Sequence, residues 1–433
     1  MSGISKIVVV GLGYVGLPTS LAFHDAGFSV HGIDINEGVI RKLSSGVSHL
    51  SDSSEELEIP VDSGRWSVGS SFSEAIPNAD VILISVPTPT NSVKEPDLSF
   101  VDGAFKSVLS NLGGGRCPIM VLESTVFPGI TNSISARLSG ELGMKCGEDF
   151  ELAYSPERVS PGEVGKSASN VARIVGSNDP EIGEKMAGIY SMITAGGCTY
   201  VGSIEVAEAA KMVENTQRDI DLAFANELAK VLPEMGIDVE EVLDAAATKW
   251  NFHRHKPGIG VGGHCIPVDP YYYMKFSREA GVPSTISPAA RELNESMPRH
   301  SAENILASIP DGGNILVLGM AYKPNVGDFR ETPVFPMVEH LISKGSRVYI
   351  WDPYLTDEAK IPNKAIAIEG PFEKSLEIDC VVLATAHEEF LSLEWGNLLE
   401  FIPGNLVYDG PRVLDSNKMS EMGWQYSGVG FPR

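Results

Sequence analysis

The chain has 433 residues, more than one hydrophobic core normally serves, which predicts two or three domains. Its 57 acidic and 33 basic side chains give a net charge of -24, which excludes nucleic acid and anionic membranes as partners. Five scattered cysteines without a CxxC pair indicate a reducing, cytoplasmic compartment. The uncharged run over residues 7–23 contains three glycines and a proline, so we expect a strand and a turn there, not a membrane-spanning helix.

The first region, residues 6–198, alternates short apolar runs with helical segments. The runs are KIVVVG, SVHGID, VILISV, PIMVLES and ELAYS. Apolar runs separated by helices are typical of a parallel sheet that is covered on both faces. We therefore predict a doubly wound α/β domain over residues 1–198.

A GxGxxG pattern follows the first apolar run. Gly11 permits the tight turn, Gly13 lets the backbone approach a pyrophosphate, and Gly16 lets helix and strand pack closely. Asp34 ends the next strand, where it would accept hydrogen bonds from ribose hydroxyls and repel a 2′-phosphate. The pattern predicts an NAD site. The alternative, a glycine-rich turn that binds nothing, is disfavoured by the complete strand–turn–helix–strand context.

Other positions near this turn are predicted to contact the cofactor. Tyr14 and Val15 lie inside the fingerprint, and Arg41 follows one turn into the next helix, where it would pair with a phosphate or face solvent. Thr88 and Thr125 follow two further strands, whose carboxyl ends line the ligand crevice of a doubly wound sheet. By residue type alone, each threonine is equally well explained as a helix or turn cap.

A long helical pattern over residues 205–235 forms the centre of the chain, and we expect Pro233 to interrupt its last turn. Lys211, Asn215 and Arg218 stand at i, i+4 and i+7, which places them on one face. The functional interpretation is a lysine and an amide directed into a cleft. By helical period alone, a solvated face is favoured, with charge balanced by Glu208, Glu214 and Asp219.

The third region begins near residue 311 and repeats the strand–turn–helix–strand order of the first. Its apolar runs are NILVLGM, RVYIWDP, VVLAT and NLVYDG, and Asp352 ends the second of them as Asp34 does in the first region. The fold class predicted is therefore α/β, with two Rossmann-like doubly wound domains joined by a long central helix. The predicted domains are residues 1–198, 199–300 and 301–433.

Residues 256–271, KPGIGVGGHCIPVDPY, are the most specific stretch of the chain. Closely spaced glycines before Cys265 indicate a backbone held close to a ligand. A lone cysteine is often a small buried hydrophobic residue, but nearby basic groups would lower its pKa and make it a nucleophile. A zinc site is the alternative, yet the ligand spacing matches no ordinary structural site, so we expect no metal. The basic groups are His253, Arg254, His255, Lys256 and His264.

Seven stretches carry a resemblance that spans nearly the whole chain. They are GLGYVGLP at 11–18, SVPTP at 85–89, ESTVFPG at 123–129, SPERVSPG at 155–162, AKMVENTQRD at 210–219, GVGGHCIPVDPYY at 260–272 and LGMAYKPNVGDFRETP at 318–333. In these stretches the chain resembles the nucleotide-sugar 6-dehydrogenase family, that of UDP-glucose and UDP-N-acetylhexosamine dehydrogenases.

The resemblance implies an N-terminal NAD domain, a central helix that forms a homodimer, and a C-terminal UDP-sugar domain. It implies oxidation of the sugar C6 from alcohol to carboxylate with two NAD. Cys265 is the implied nucleophile, and Lys211 and Asn215 are implied to act on the reacting oxygen. Asp269 would be a polar support beside them, and Glu157 would position the hydrolytic water.

The resemblance also implies a set of substrate contacts. Arg330 is expected at the cofactor, and Arg412 is expected to reach a site in the partner subunit. The expected UDP-sugar contacts are Arg158, Val159, Lys211, Asn215, Arg218, His253, Arg254, Gly260, Tyr322, Lys323 and Arg412.

Departures from the UDP-glucose pattern favour the acetamido-sugar branch. The segment PERVSPG replaces PEFLxEG, so that Glu157 is kept while Pro161 stands for the second acid, and His264 and Ile266 flank the cysteine. UDP-N-acetylmannosamine is the favoured substrate, ahead of UDP-N-acetylglucosamine, its galacto epimer and UDP-glucose. The competing classes are a two-electron 3-hydroxyacid dehydrogenase and an NAD-binding redox sensor.

Overall fold

The computed structural model describes residues 3–50, 57–91, 93–113, 115–159, 169–355, 361–369 and 376–432. The chain divides into two compact units. The N-terminal unit is Met1–Glu214 with Tyr271–Pro283, and the C-terminal unit is Asn215–Pro270 with Ser284–Arg433. The three predicted domain boundaries are a different division, and they stay a prediction.

The N-terminal unit contains a six-stranded parallel sheet in the order β3-β2-β1-β4-β5-β6. All five apolar runs of the first region form strands, as predicted, whereas β3 was not predicted. A separate parallel pair, β7 and β8, belongs to the same unit. The strands are β1 (Lys6–Val10), β2 (Ser29–Ile33), β3 (Trp66–Gly69), β4 (Val81–Ile84), β5 (Ile119–Leu122), β6 (Glu151–Tyr154), β7 (Arg173–Val175) and β8 (Cys198–Tyr200).

Helices cover both faces of this sheet. In β1, Ile7 and Val9 join one apolar cluster while Val8 and Val10 join another, because successive side chains of a strand point to opposite faces. Burial on both faces explains why these strands are continuous apolar runs. The helices are α1 (Gly16–Asp25), α2 (Glu37–Ser44), α3 (Phe72–Ala75), α4 (Ser99–Leu109), α5 (Ile130–Leu142) and α6 (Pro180–Tyr190).

A 28-residue helix, α7 (Ile204–Val231), follows. It gives way to a 3-10 turn, Leu232–Met235, that contains Pro233 and ends at Gly236 with φ of 72°. The interruption predicted at Pro233 is therefore confirmed; proline cannot donate the backbone hydrogen bond that a continuing helix needs. Three helices come next: α8 (Val239–Ala247), α9 (Asp269–Glu279) and α10 (Ile286–Leu306).

The C-terminal unit contains a second six-stranded parallel sheet, in the order β11-β10-β9-β12-β13-β14. Counted from its own first strand, this order is that of the first sheet, so the two Rossmann-like halves joined by a long helix are confirmed. The elements are β9 (Asn314–Leu318), α11 (Val334–Ser343), β10 (Arg347–Trp351), β11 (Ile366–Ala367), β12 (Cys380–Leu383), α12 (Glu388–Leu391), α13 (Trp395–Leu398), β13 (Leu406–Asp409), α14 (Ser416–Met422) and β14 (Gln425–Gly428).

For residues 7–23 the sequence predicts a strand and a turn, not a membrane-spanning helix. Among the described residues, no helix is both long and apolar enough to cross a bilayer.

Candidate active site

The turn between β1 and α1 has the geometry that the glycine pattern predicts. Gly11 has φ of 89°, and a Cβ added there would lie 2.5 Å from the Ser85 carbonyl oxygen. A Cβ at Gly16 would lie 1.8 Å from the Gly11 carbonyl oxygen, which only glycine avoids. At Gly13, by contrast, no described atom comes within 4 Å of an added Cβ. That open space fits the close approach of a pyrophosphate to the backbone.

Asp34 follows β2 at the carboxyl edge of the sheet. Its Oδ2 accepts the backbone N–H of Leu12 at 2.9 Å, and its Oδ1 accepts that of Asn36 at 2.8 Å. These bonds fix the half-buried carboxylate beside the glycine turn, where it fits the ribose of a dinucleotide. Arg41 is exposed, and its Nε donates to the Glu37 carbonyl of its own helix at 3.3 Å, so its phosphate contact stays a prediction.

The remaining predicted cofactor positions of this unit are half-buried. Tyr14 and Val15 precede the first residue of α1, and Thr125 follows β5. The Thr88 carbonyl accepts the Tyr272 hydroxyl at 2.9 Å, which ties the strand end to α9. Each position agrees with a crevice at the carboxyl edge, but contact with the cofactor stays a prediction for all four.

Lys211 on α7 is 7% exposed and donates from Nζ to the Glu157 carbonyl at 2.6 Å. The alternative of a solvated helix face is therefore wrong at this position. It is also wrong at Glu208 and Asp219, both fully buried: Glu208 accepts from Thr131, and Asp219 accepts from Arg291. Arg218 is exposed, so the face is polar but mostly inside the protein.

Two predicted substrate residues follow Glu157 in the chain. Arg158 forms an ion pair with Glu214 of α7, and the Val159 backbone N–H donates to Glu157 Oε1 at 2.7 Å. Pro161, on which the choice of sugar branch partly depends, lies outside the described residues. The structure thus brings Lys211, Glu157 and Arg158 together, while the predicted contacts of Arg158 and Val159 with substrate stay predictions.

A buried ionic cluster behind Glu157 was missed by the sequence analysis. Arg173, the first residue of β7, is 2% exposed and donates to Glu157 Oε2 at 2.8 Å and to Glu123 Oε1 at 3.4 Å. The Tyr190 hydroxyl also donates to Glu123 Oε1, at 2.8 Å. The sequence does contain one indication of this cluster. Arg173 lies within the apolar run VARIVG, and an arginine that is buried with such a run needs a buried partner of opposite charge.

In the C-terminal unit, the Cys265 thiol is exposed. Cys380 is buried in β12 and burial raises its pKa, which is the behaviour of a structural cysteine. The Cys265 carbonyl accepts the Asp269 backbone N–H at 2.8 Å, and Asp269 Oδ2 accepts Asn215 Nδ2 at 2.5 Å. The structure therefore brings Cys265, Asp269 and Asn215 together.

The glycines before Cys265 were expected to hold the backbone close to a ligand. They allow close packing against the protein itself, and the contact with a ligand stays a prediction. A Cβ at Gly260 would lie 2.7 Å from Pro333, and one at Gly262 or Gly263 would lie 2.7 Å from Tyr322. The predicted substrate residues Gly260 and Tyr322 are thus part of one packed loop pair.

The basic groups around Cys265 do not all provide positive charge. Burial lowers the pKa of His264, and nearby Arg330 lowers it further, so the imidazole is neutral at neutral pH. The lowered pKa makes His264 a weaker source of positive charge for the thiol than the sequence alone predicted. His253 is exposed, and Arg254 pairs with Glu240 and Asp244, both on α8.

Three predicted ligands lie elsewhere in the C-terminal unit. Arg330 is exposed and pairs with Asp328, and Lys323 is half-buried in the same loop. Arg412 donates to Asp238 at 2.7 Å, to the Val429 carbonyl at 2.9 Å and to the Tyr426 hydroxyl at 3.1 Å. Its guanidinium links α8 to the chain's C-terminal segment, so its reach toward a partner subunit stays a prediction.

Side chains that could bind a metal do not cluster in the described part of the chain. No group of three or more His, Cys, Asp or Glu side chains is placed there to hold an ion.

Family models match the chain in three consecutive segments. Residues 5–194 match the NAD-binding domain of the UDP-glucose/GDP-mannose dehydrogenase family, residues 205–296 its central domain and residues 316–416 its UDP-binding domain. The chain belongs to this family. Dependence on NAD and use of a UDP-sugar, predicted from the fingerprint and the resemblance, are confirmed at this level.

Curated relatives and solved structures extend the match over nearly the whole chain. A UDP-N-acetyl-D-glucosamine 6-dehydrogenase from Pseudomonas aeruginosa is 35% identical, covering 95% of this chain and 98% of its own. A UDP-N-acetyl-D-mannosamine dehydrogenase from Pyrococcus horikoshii is 32% identical, covering 98% and 99%. The structure of UDP-D-ManNAc dehydrogenase from Pyrococcus horikoshii superposes with a TM-score of 0.87 at 31% identity, covering 98% and 99%.

Proposed function

We propose that the protein oxidises C6 of a UDP-N-acetylhexosamine from alcohol to carboxylate while Cys265 holds the carbon covalently. The observation that carries the proposal is the exposed Cys265, whose backbone carbonyl accepts the Asp269 N–H, while the Asp269 carboxylate accepts and orients Asn215. A buried structural cysteine, such as Cys380, would not support it.

Each oxidation has a proton to remove and an oxygen to stabilise. NAD, when bound, accepts the hydride that leaves C6 in each oxidation. Lys211 is a buried amine, so it can hold or relay the proton of the C6 hydroxyl. Asn215, oriented by Asp269, donates to the oxygen as negative charge develops on it.

Covalent capture keeps the aldehyde from escaping between the oxidations. The Cys265 thiolate adds to the aldehyde carbon, and the second loss of hydride leaves a thioester on the sulfur. Water then hydrolyses the thioester. Glu157 is the proposed positioner of that water, because its backbone carbonyl accepts Lys211 Nζ and its carboxylate is held by backbone N–H groups of Arg158 and Val159.

The diphosphate of the substrate requires cationic partners. Arg218 and Arg330 are exposed, and Lys323 and Tyr322 lie with Arg330 in residues 320–333. We propose that these groups, together with Arg158, His253 and Arg254, hold the UDP moiety against the strongly acidic background of the chain.

Two sugars are the strongest candidates. The His264 and Ile266 departures favour the acetamido-sugar branch, and within it we favour UDP-N-acetylmannosamine, the sugar named for the relative from Pyrococcus horikoshii. The higher identity of the Pseudomonas aeruginosa relative favours UDP-N-acetylglucosamine. The two sugars differ only in configuration at C2, so a panel of UDP-sugars assayed for NADH formation decides between them.

Cys265→Ser tests the covalent route. We expect NAD binding, measured by calorimetry, to be unchanged, and net acid formation, measured by mass spectrometry, to be abolished, because serine is a far weaker nucleophile. Cys380→Ser is the matched control away from the site. Acid formation by Cys265→Ser at the native rate refutes the covalent route.

One NADH per substrate in the native enzyme would indicate a two-electron dehydrogenase, and no turnover with any UDP-sugar would indicate a redox sensor.

We also propose that the chain forms a homodimer through α7. Four apolar side chains on this helix, Val206, Val213, Phe224 and Val231, are 49 to 56% exposed. Their spacings of 7, 11 and 7 residues place them on one face. A second copy of this stripe would cover it.

Light scattering tests the dimer. The native chain is expected to have the mass of two chains, and Phe224→Glu is expected to have the mass of one, because a buried charge opposes association. Met422→Glu, at an exposed apolar residue of α14, is the control that should leave the mass unchanged. A single-chain mass for the native protein at micromolar concentration contradicts the proposal.

A further inference from the structure

Arg173 is a buried cation between two carboxylates of the N-terminal unit. Its side chain is 1% exposed, and its guanidinium donates to Glu157 at 2.8 Å and to Glu123 at 3.4 Å. The guanidinium also lies 5.3 Å from the centre of the Tyr190 ring. Complete burial of a charged arginine is costly unless the charge is paired, and two carboxylates pair it here, although Nε is buried without a hydrogen-bond partner.

The inner carboxylate anchors the arginine. Glu123 follows β5, and its side chain is fully buried. Its Oε2 accepts the Ser85 hydroxyl at 2.6 Å and its Oε1 accepts the Tyr190 hydroxyl at 2.8 Å. Burial raises the pKa of Glu123, and the positive charge of Arg173 opposes that rise. Arg173 is therefore anchored by buried groups on the side that faces Glu123.

The outer carboxylate, that of Glu157, is not fully buried. The Glu157 side chain is 12% exposed, so it is the one end of the cluster that reaches the surface. Its Oε1 accepts the backbone N–H groups of Arg158 and Val159 at 2.7 Å each, and its Oε2 accepts Arg173. Arg173 is thus the side chain that holds Oε2, and together with the two backbone N–H groups on Oε1 it sets the rotation of this carboxylate about its last bond. For folding alone, the fully buried ion pair of Arg173 with Glu123 would be sufficient.

We propose that Arg173 is a positioning residue for hydrolysis of the Cys265 thioester and acts through Glu157. This inference rests on the proposed function. In the hydrolytic step the water oxygen bonds to C6, the C6–sulfur bond breaks, and a proton of the water goes to the departing sulfur. Glu157 orients the water through a lone pair that Arg173 leaves available. No electrons are transferred in this step, so loss of Arg173 should spare both oxidations.

The test separates oxidation from hydrolysis in Arg173→Lys, which keeps the charge but loses the planar fork. The substrate is UDP-N-acetylmannosamine, or UDP-N-acetylglucosamine if the panel shows it to be the better one. We expect a rapid NADH burst of native amplitude, kcat lowered roughly tenfold or more, and KM for NAD unchanged. Intact-mass analysis of the quenched enzyme should show the sugar acyl group on Cys265.

Two variants serve as references. Glu157→Gln should accumulate the same adduct, and Glu157→Gln combined with Arg173→Lys should be no slower than Glu157→Gln alone. Arg291→Lys is the matched control, because Arg291 is also buried and pairs with Asp219 in the C-terminal unit. It is expected to lose stability without accumulating adduct, as a purely structural arginine would.

The outcomes are distinguishable. Adduct in Glu157→Gln without adduct in Arg173→Lys overturns the inference and leaves the proposed function standing. Failure to detect adduct in Glu157→Gln, with acid still formed by Cys265→Ser, overturns the proposed function. If Arg173→Lys does not fold, the double variant Arg173→Gln, Glu123→Gln removes the buried charges together. Native turnover without adduct in that folded double variant also overturns the inference.

Discussion

The two sheets share one strand order but differ in the connection that follows the first strand. In both, a glycine with φ of 89° comes after that strand, Gly11 in one and Gly319 in the other. The Gly11 N–H donates to the Ile33 carbonyl at 2.8 Å, and the Gly319 N–H donates to the Trp351 carbonyl at 2.9 Å. The first glycine is therefore a property of the shared topology.

The connections diverge after that glycine. In the first sheet α1 begins at Gly16, whereas in the second α11 begins only at Val334. The longer second connection, residues 320–333, carries the predicted substrate residues Tyr322 and Lys323. The short turn leaves helix N–H groups available to a pyrophosphate, whereas we predict that the longer loop contributes side chains to the substrate instead.

The largest expected effect is at the third glycine of the short turn. Gly16→Ala should abolish NAD binding in calorimetry and lower the Tm, because its Cβ would lie 1.8 Å from a backbone oxygen. Gly13→Ala is the matched control for folding: its Cβ has open space, so the Tm should hold while NAD affinity falls about 100-fold or more. Native NAD affinity in Gly16→Ala would show that close helix packing is not what this position requires.

A smaller effect is expected at the aspartates that end the second strand of each sheet. Asp352 is buried and accepts the N–H groups of Met320 and Tyr354. Burial acts to raise its pKa, but His387 and these backbone donors outweigh burial and lower it. Asp352→Asn should therefore lower the free energy of unfolding by about 2–4 kcal/mol at neutral pH and leave NAD binding unchanged. Asp34→Asn should cost less stability and weaken NAD binding.

The sign of the pH dependence follows from the lowered pKa of Asp352. Its contribution is fully present above the ordinary aspartate pKa of 3.8 and is lost as pH falls through the lower folded value. The difference in Tm between the native protein and Asp352→Asn should therefore shrink on acidification below about pH 4. A difference in Tm that does not shrink as the pH falls below 4 would contradict a role for the ionised carboxylate.

Much of the fold follows from the sequence, since strands buried on both faces must be continuous apolar runs. Strands such as β3 (Trp66–Gly69) and β14 (Gln425–Gly428) were missed because they are short, polar and at sheet edges. In the site, Cys265, Asn215 and Asp269 were found by resemblance. Arg173 was missed because no local pattern links it to Glu157, 16 residues away in sequence.

In the dimer proposed above, the exposed stripe on α7, from Val206 to Val231, would tie the measured stability of the protein to its concentration. In a dimer that buries this stripe, dissociation accompanies unfolding, so dilution favours the unfolded chain. A hundredfold dilution would lower the free energy of unfolding by about 2.7 kcal/mol per dimer. Melting temperatures of variants are therefore comparable only at one fixed protein concentration.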